Sequence, residues 1–250
     1  MRLSLPKIAT AFVLSVNGAF ADGDHAADMH DAVTSPADET KVADFDILAA
    51  HAHRNGNVVT FHMTTNGVAG ASTPATTGAV GGSGVWSYVW PTSLDPSAVG
   101  FEGGTGVLAM AATSHPDFDD TPLFDENGDG DPANDGIEWH SHWVVLTPTE
   151  DCGPGALAVR DIPEGSNPKL PATWPGFPIF LDSPGFTPLF DGREIKVNAG
   201  FSGDVDLNGV AYDGVTSALR VNVNVHAPLL CVTDVFDIAS GDLSLPGKVK

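Results

Sequence analysis

The sequence predicts an all-β protein: an antiparallel β-sandwich or barrel with long Gly/Pro/Asp-rich loops. Short runs of β-branched and aromatic residues alternate with polar ones at a period of two, which is the spacing of a strand. Clusters of Gly, Pro, Asn and Asp, among 28 glycines and 19 prolines in 250 residues, separate these runs at nearly regular intervals, as the turns of a sandwich or barrel do. Helical periodicity is nearly absent, and there is no internal repeat.

The chain opens on Arg2 and Lys7, an apolar run from Ile8 to Val16, and Ala19-Phe20-Ala21 before Asp22. This predicts a signal peptide over residues 1–21, cleaved after Ala21 and too short for a membrane anchor, with a periplasmic or secreted destination. Removing it leaves 229 residues and takes away two cations, so the formal charge moves from −21 to −23. Such a surface repels nucleic acid and gathers cations. No later stretch is long and apolar enough to span a bilayer. Residues 22–42 hold His25 and His30 among aspartates and alanines without apolar periodicity, which predicts a disordered segment. Residues 43–250 are expected to form one β-rich metal-binding domain.

Within that domain, Asp46 to Arg54, then Asn55-Gly56, then Asn57 to Met63 is a hairpin signal, because Asn-Gly favours a two-residue turn. A turn centred on Asn55-Gly56 puts His51, His53 and His62 on one face, with His51 and His62 as diagonal neighbours. Residues 67–84 are nearly all Gly, Ala, Ser, Thr and Pro and read as a loop or weak edge strands. Strands are expected at 85–90 and 107–112, the second delivering His115 to a loop ending in Asp119-Asp120. Further strands are expected at 156–160, 179–181, 194–197, 218–226 and 229–236, with a hairpin turn at Asn208-Gly209.

The central stretch runs Glu138-Trp139-His140-Ser141-His142-Trp143-Val144-Val145-Leu146. As a strand it turns Glu138, His140 and His142 to one face and Ile137, Trp139, Trp143 and Val145 to the other. Imidazole and carboxylate in a row are what a divalent transition metal takes from a protein. The loop before it carries Asp125, Asn127, Asp129, Asp131 and Asp135. Its Asp-x-Asn-x-Asp-Gly start is the first half of a calcium loop, but the twelfth-position acid falls on Gly136. Hard oxygen ligands make calcium the cation expected there.

Cys152 and Cys231 are the only cysteines, and in a secreted chain they are expected to pair. The closed loop of about 80 residues is worth on the order of 4 kcal/mol in the chain-entropy model. Serine-nucleophile, phosphate-cradling, dinucleotide and His-Glu-x-x-His signatures are all absent.

His51, His53, His140 and His142, with Trp139 and Trp143 beside them, give the chain a resemblance to the CorA and MopE class of copper-binding surface proteins of methane-oxidising bacteria. That resemblance implies copper held by histidines with a tryptophan, oxidised to kynurenine in that class, close by. The Trp-x-His tripeptide of the class is missing here. The copper/zinc superoxide dismutases also carry His-x-His on a β-sandwich with a disulfide, but their glycine-framed spacing is not matched.

The expectation is therefore a secreted transition-metal binder, copper first and zinc second. Its site would join the His51/His53/His62 face to the Glu138/His140/His142 face, with His115 or His226 steadying the ligand rings. Binding is favoured over metal-dependent oxidoreductase or hydrolase chemistry, because no general acid or base stands out beyond Glu138. The rival is a calcium-stabilised adhesion or carbohydrate-binding module using Trp86, Tyr88, Trp90 and Trp174 as a platform.

Overall fold

The structure, a computed structural model, describes residues 32–250. The expected signal peptide, His25 and His30 lie outside the described residues. Of the segment expected to be disordered, residues 32–42 carry structure: β1 (Val33–Thr34) pairs with the next strand, and Lys41 Nζ lies 2.7 Å from the Asp237 carboxylate.

The fold is nearly all β. β2 (Ile47–Asn55), β3 (Val58–Thr65), β9 (Leu189–Asp191) and β10 (Glu194–Gly200) join β1 in a five-stranded sheet ordered β1-β2-β3-β10-β9. β4 (Gly84–Pro91), β5 (Val107–Ser114), β6 (His140–Pro148), β7 (Leu157–Val159), β12 (Val215–Val221) and β13 (Leu230–Ile238) form a six-stranded antiparallel barrel, β5-β4-β12-β13-β7-β6, closed where β6 pairs with β5. β8 (Leu181–Asp182) pairs with β6, and β11 (Ala211–Tyr212) pairs with β14 (Gly247–Lys248) apart from both sheets.

Period-two alternation divides the barrel strands between two cores. Tyr88, Trp90, Leu108, Met110, Trp143 and Val145 point outward and are buried against Phe45, Ile47, Phe61 and Met63 of the five-stranded sheet and its approach. Phe61 meets Trp143 edge-on at 5.8 Å, and Trp90 Nε1 donates to the His62 carbonyl at 3.1 Å. The alternate residues Val85, Val89, Ala111, Val144, Leu146 and Leu219 point into the barrel. Burying aromatic and aliphatic area on both faces of β4, β5 and β6 is what holds sheet and barrel together. Tyr88 and Trp90 are buried in this core, Trp86 packs against it, and Trp174 is half-buried with its N–H donated to the Phe177 carbonyl, so the four aromatics form no exposed platform.

Two local readings are corrected. The first hairpin turns at Gly56-Asn57, one residue later than expected. Gly56 takes the position with φ +62, natural for glycine, and Asn57 is held by its Nδ2 donating to the Phe201 carbonyl at 2.6 Å. His51 therefore stands directly opposite His62 instead of diagonally. The strand expected over 218–226 stops at Val221, because residues 222–229 reverse the chain into β13 and leave Val223 86% exposed. The Cys152–Cys231 disulfide is formed.

Candidate metal centre

β5 and β6 place the site. Their antiparallel register sets Ala111 opposite His142 and Thr113 opposite His140, so both histidines face into the barrel on the same side as Ala111 and Thr113. His115 continues the β5 alternation one step past the strand, where Pro116 ends it. The returning chain is stitched to this end: His115 N–H donates to the Gly136 carbonyl at 2.6 Å and Ser114 Oγ to the Ile137 carbonyl at 2.7 Å. Gly136 is required by close approach, since a Cβ there would lie 1.8 Å from the Phe118 carbonyl oxygen and 2.5 Å from that of His115. The loop so folded brings Asp120 over the three imidazoles.

His115, Asp120, His140 and His142 form a buried cluster whose ligand atoms all lie within 4.8 Å of one another, a group that can hold a metal ion. Asp120 Oδ1 stands 3.2 Å from His115 Nε2, 3.1 Å from His140 Nε2 and 3.2 Å from His142 Nε2, while the His115 and His140 Nε2 atoms are 3.0 Å apart.

The other ring nitrogen of each histidine is committed. His115 Nδ1 donates to the Phe118 carbonyl at 2.9 Å and His140 Nδ1 to the Glu138 carbonyl at 2.8 Å. His142 Nδ1 lies 3.2 Å from Ser183 Oγ, whose own proton goes to the Asp120 carbonyl at 2.6 Å, so that hydroxyl accepts from His142. With Nδ1 the protonated nitrogen, each neutral ring turns an Nε2 lone pair to the same point, beside a carboxylate oxygen, and the Thr113 hydroxyl stands 3.2 Å from that of His140. Protonating all three rings would bury three cations; one divalent cation satisfies all four atoms. Burial works most strongly against ionising Asp120; in the metal-free site, protons carried on the Nε2 side by His142 and His115, with hydrogen bonds from His115 and His140, overcome it and hold the carboxyl well below its usual range. A metal ion acts on it in the same sense.

The cluster forms one end of a cavity of about 210 Å³ inside the barrel, which His115, Asp120 and His142 line. Its walls are otherwise almost wholly aliphatic, including Val89, Val144, Leu146 and Val215. β13 and β7 meet through one pair, Cys231 opposite Ala158. The apolar residues flanking that thin seam, Val232, Val235, Leu157 and Pro148, also line the cavity. Leu243 and Leu245 complete it, both with left-handed backbone, φ 58 and 52.

The expected site residues fall in three places. His140 and His142 are in the cluster; Glu138 is exposed, lies before β6 and contributes its carbonyl instead of its carboxylate. His51, His53 and His62 sit on the face of the five-stranded sheet opposite Ala50, Ala52 and Phe61, which pack on the barrel, so the two histidine faces do not converge. His62 Nδ1 and His51 Nε2 are 2.7 Å apart, His62 faces Glu194 at 3.5 Å, and burial first, then His51, pushes the His62 imidazole down to about 4. His226 meets Asp161 at 3.0 Å on the surface and steadies no ligand ring.

In the acidic loop, Asp125 accepts the N–H groups of Gly128, Asp129 and Gly130, Asn127 that of Asp129, and Asp129 that of Asp131. Asp131 accepts from Ala133, and buried Asp135 from Glu126. This is a hydrogen-bonded turn. Among the described residues, the group of three or more His, Cys, Asp or Glu ligands that converges is the histidine cluster.

Sequence reasoning missed Asp120 as a ligand and gave His115 only a supporting part. The signal available for His115 was its place on the Thr113 side of the β5 alternation. For Asp120 there was none, since it is one of many acids in the loop. No protein-family model matches the chain, and no curated protein or solved structure is significantly similar to it.

Proposed function

We propose that the protein binds a single divalent transition-metal ion through His115, Asp120, His140 and His142, with zinc ahead of copper, in an oxidising extracytoplasmic compartment. The observation that carries this is the commitment of all three Nδ1 atoms to oxygen acceptors, which leaves three Nε2 lone pairs and a carboxylate oxygen around one point.

Two features of the donor set support placing zinc first in this reading. A square-planar copper(II) site would put one nitrogen trans to the Asp120 oxygen, about 4 Å away. Instead all three stand 3.1–3.2 Å from it. A tetrahedron with zinc–nitrogen bonds of about 2.0 Å has edges of about 3.3 Å, close to the three distances from Asp120 Oδ1 and to the 3.0 Å between His115 and His140 Nε2. No thiolate or thioether is in the cluster to favour copper(I). The disulfide, with the signal-peptide pattern expected of residues 1–21, supports the compartment.

Elemental analysis of the purified full chain tests the reading. One equivalent of zinc is expected in the wild type and in His51→Ala, and less than a tenth of that in His140→Ala and Asp120→Asn. Absence of transition metal from the wild type, or equal retention in all four proteins, overturns it.

A further inference from the structure

We infer that the barrel cavity binds a medium-chain monocarboxylate, its alkyl chain lying among the aliphatic walls and its carboxylate joining the metal as a fifth ligand. This rests on the metal reading above and adds the identity of what the site is open to.

Charge selects the head group. A divalent ion with the Asp120 carboxylate leaves one net positive charge, buried at the end of an otherwise aliphatic chamber. An uncompensated buried charge is costly, and a monoanionic oxygen donor at the metal removes it. His115, Asp120 and His142 are at once ligands and cavity wall, so the metal is presented to the space and not sealed from it. Three histidines and Asp120 fill four positions, so an exogenous oxygen enters from the cavity as a fifth ligand, an expansion that zinc permits.

Shape and lining select the tail. An apolar cavity of about 150 Å³ holds a benzene molecule; at about 210 Å³ this one has room for a chain of roughly eight carbons. Away from the metal its polar lining is limited to the hydroxyls of Ser87 and Ser217, which bond each other at 2.8 Å; the Thr113 hydroxyl lies at the cluster, 3.2 Å from His140 Nε2. A second polar group on the ligand would therefore find no partner along most of its length.

Entry is placed at the β13–β7 seam, where one residue pair joins the strands and exposed Val235 lines the same cavity. Leu243 and Leu245 border the cavity in a backbone conformation that L-residues with branched side chains rarely adopt. Strain of this kind is retained where the side chains are needed in place, and here they help roof the alkyl chain.

The test is calorimetric titration of the zinc-loaded full chain with octanoate, butanoate and 1-octanol, with zinc content measured on every sample. Octanoate is expected to bind one to one. Butanoate, four methylenes shorter, should bind on the order of a hundredfold more weakly. 1-Octanol should bind at least tenfold more weakly than octanoate. Octanoate affinity should collapse on removal of the metal, and the visible spectrum of the cobalt(II)-substituted protein should shift when octanoate is added. Val89→Phe, which adds bulk to the cavity wall without removing a ligand, should keep its zinc and lose octanoate at least tenfold. Zinc present at one equivalent with no octanoate binding, or with octanoate and 1-octanol binding equally, overturns this inference and leaves the metal reading standing. Absence of zinc defeats the metal reading first. The chain-length and head-group series uses wild-type protein, so it decides the matter even if Val89→Phe does not fold.

Discussion

Ser183 Oγ sits 3.2 Å from His142 Nδ1 and donates to the Asp120 carbonyl at 2.6 Å, so one hydroxyl from the residue after β8 ties two of the four cluster residues together. Hydrogen bonds from behind a ligand fix its tautomer and raise its basicity, and losing one typically costs ten- to a hundredfold in metal affinity. Ser183→Ala is expected to fold, because the change removes one small hydroxyl, and to weaken zinc binding by about that factor. Competition against a chromophoric chelator reads it. An unchanged zinc affinity would show that His142 is oriented by packing alone.

Gly136 is the tightest point of the loop that carries Asp120. A Cβ there would meet backbone oxygens at 1.8 and 2.5 Å, and backbone cannot swing aside. Gly136→Ala should lower the stability of the metal-free protein by about 1–3 kcal/mol and, by displacing the carbonyl that receives His115 N–H, should weaken zinc binding as well. Denaturant melts with and without zinc separate the two effects.

The buried His51–His62 pair predicts a pH dependence independent of the metal. His62 titrates near 6.5 when unfolded but only at about 4 when folded, through burial first and the neighbouring His51 second. Between those values the unfolded chain holds a proton that the folded one does not, so stability is at its full value above about pH 6.5 and falls as the pH drops toward 4. The span corresponds to on the order of 3 kcal/mol. Urea melts of wild type and His62→Gln in the presence of a chelator should differ in slope across this window, with the variant flatter. Parallel curves would refute the assignment.

The disulfide spans 79 residues and fastens Cys231, the β13 residue that pairs with β7. Its reduction should lower stability by on the order of 4 kcal/mol through the freed chain entropy. Loosening this seam should also speed octanoate dissociation. Melts with and without reductant, and dissociation rates under each condition, measure both.

How much of this was legible follows the range of the forces involved. Strand positions, the all-β class and the facing of His140 and His142 away from Trp143 are set by alternation within a few residues, which a linear sequence displays. The disulfide was legible because there were two cysteines and one pairing. The His51/His53/His62 face and the His140/His142 face have the same local signature, and their spacing carries nothing to rank them. Packing ranks them: Ala50, Ala52 and Phe61 turn toward the barrel's aromatic outer face, which sends the first set to the far side, while the second points into the barrel. His115 joins the second set through β5–β6 pairing across a loop of 25 residues, and Asp120 arrives only because that loop folds back on Gly136 and Ser183. By itself the sequence determined which residues alternate and that imidazoles were on offer; the tertiary structure decided which of them share a point, because that depends on contacts between residues far apart in the chain.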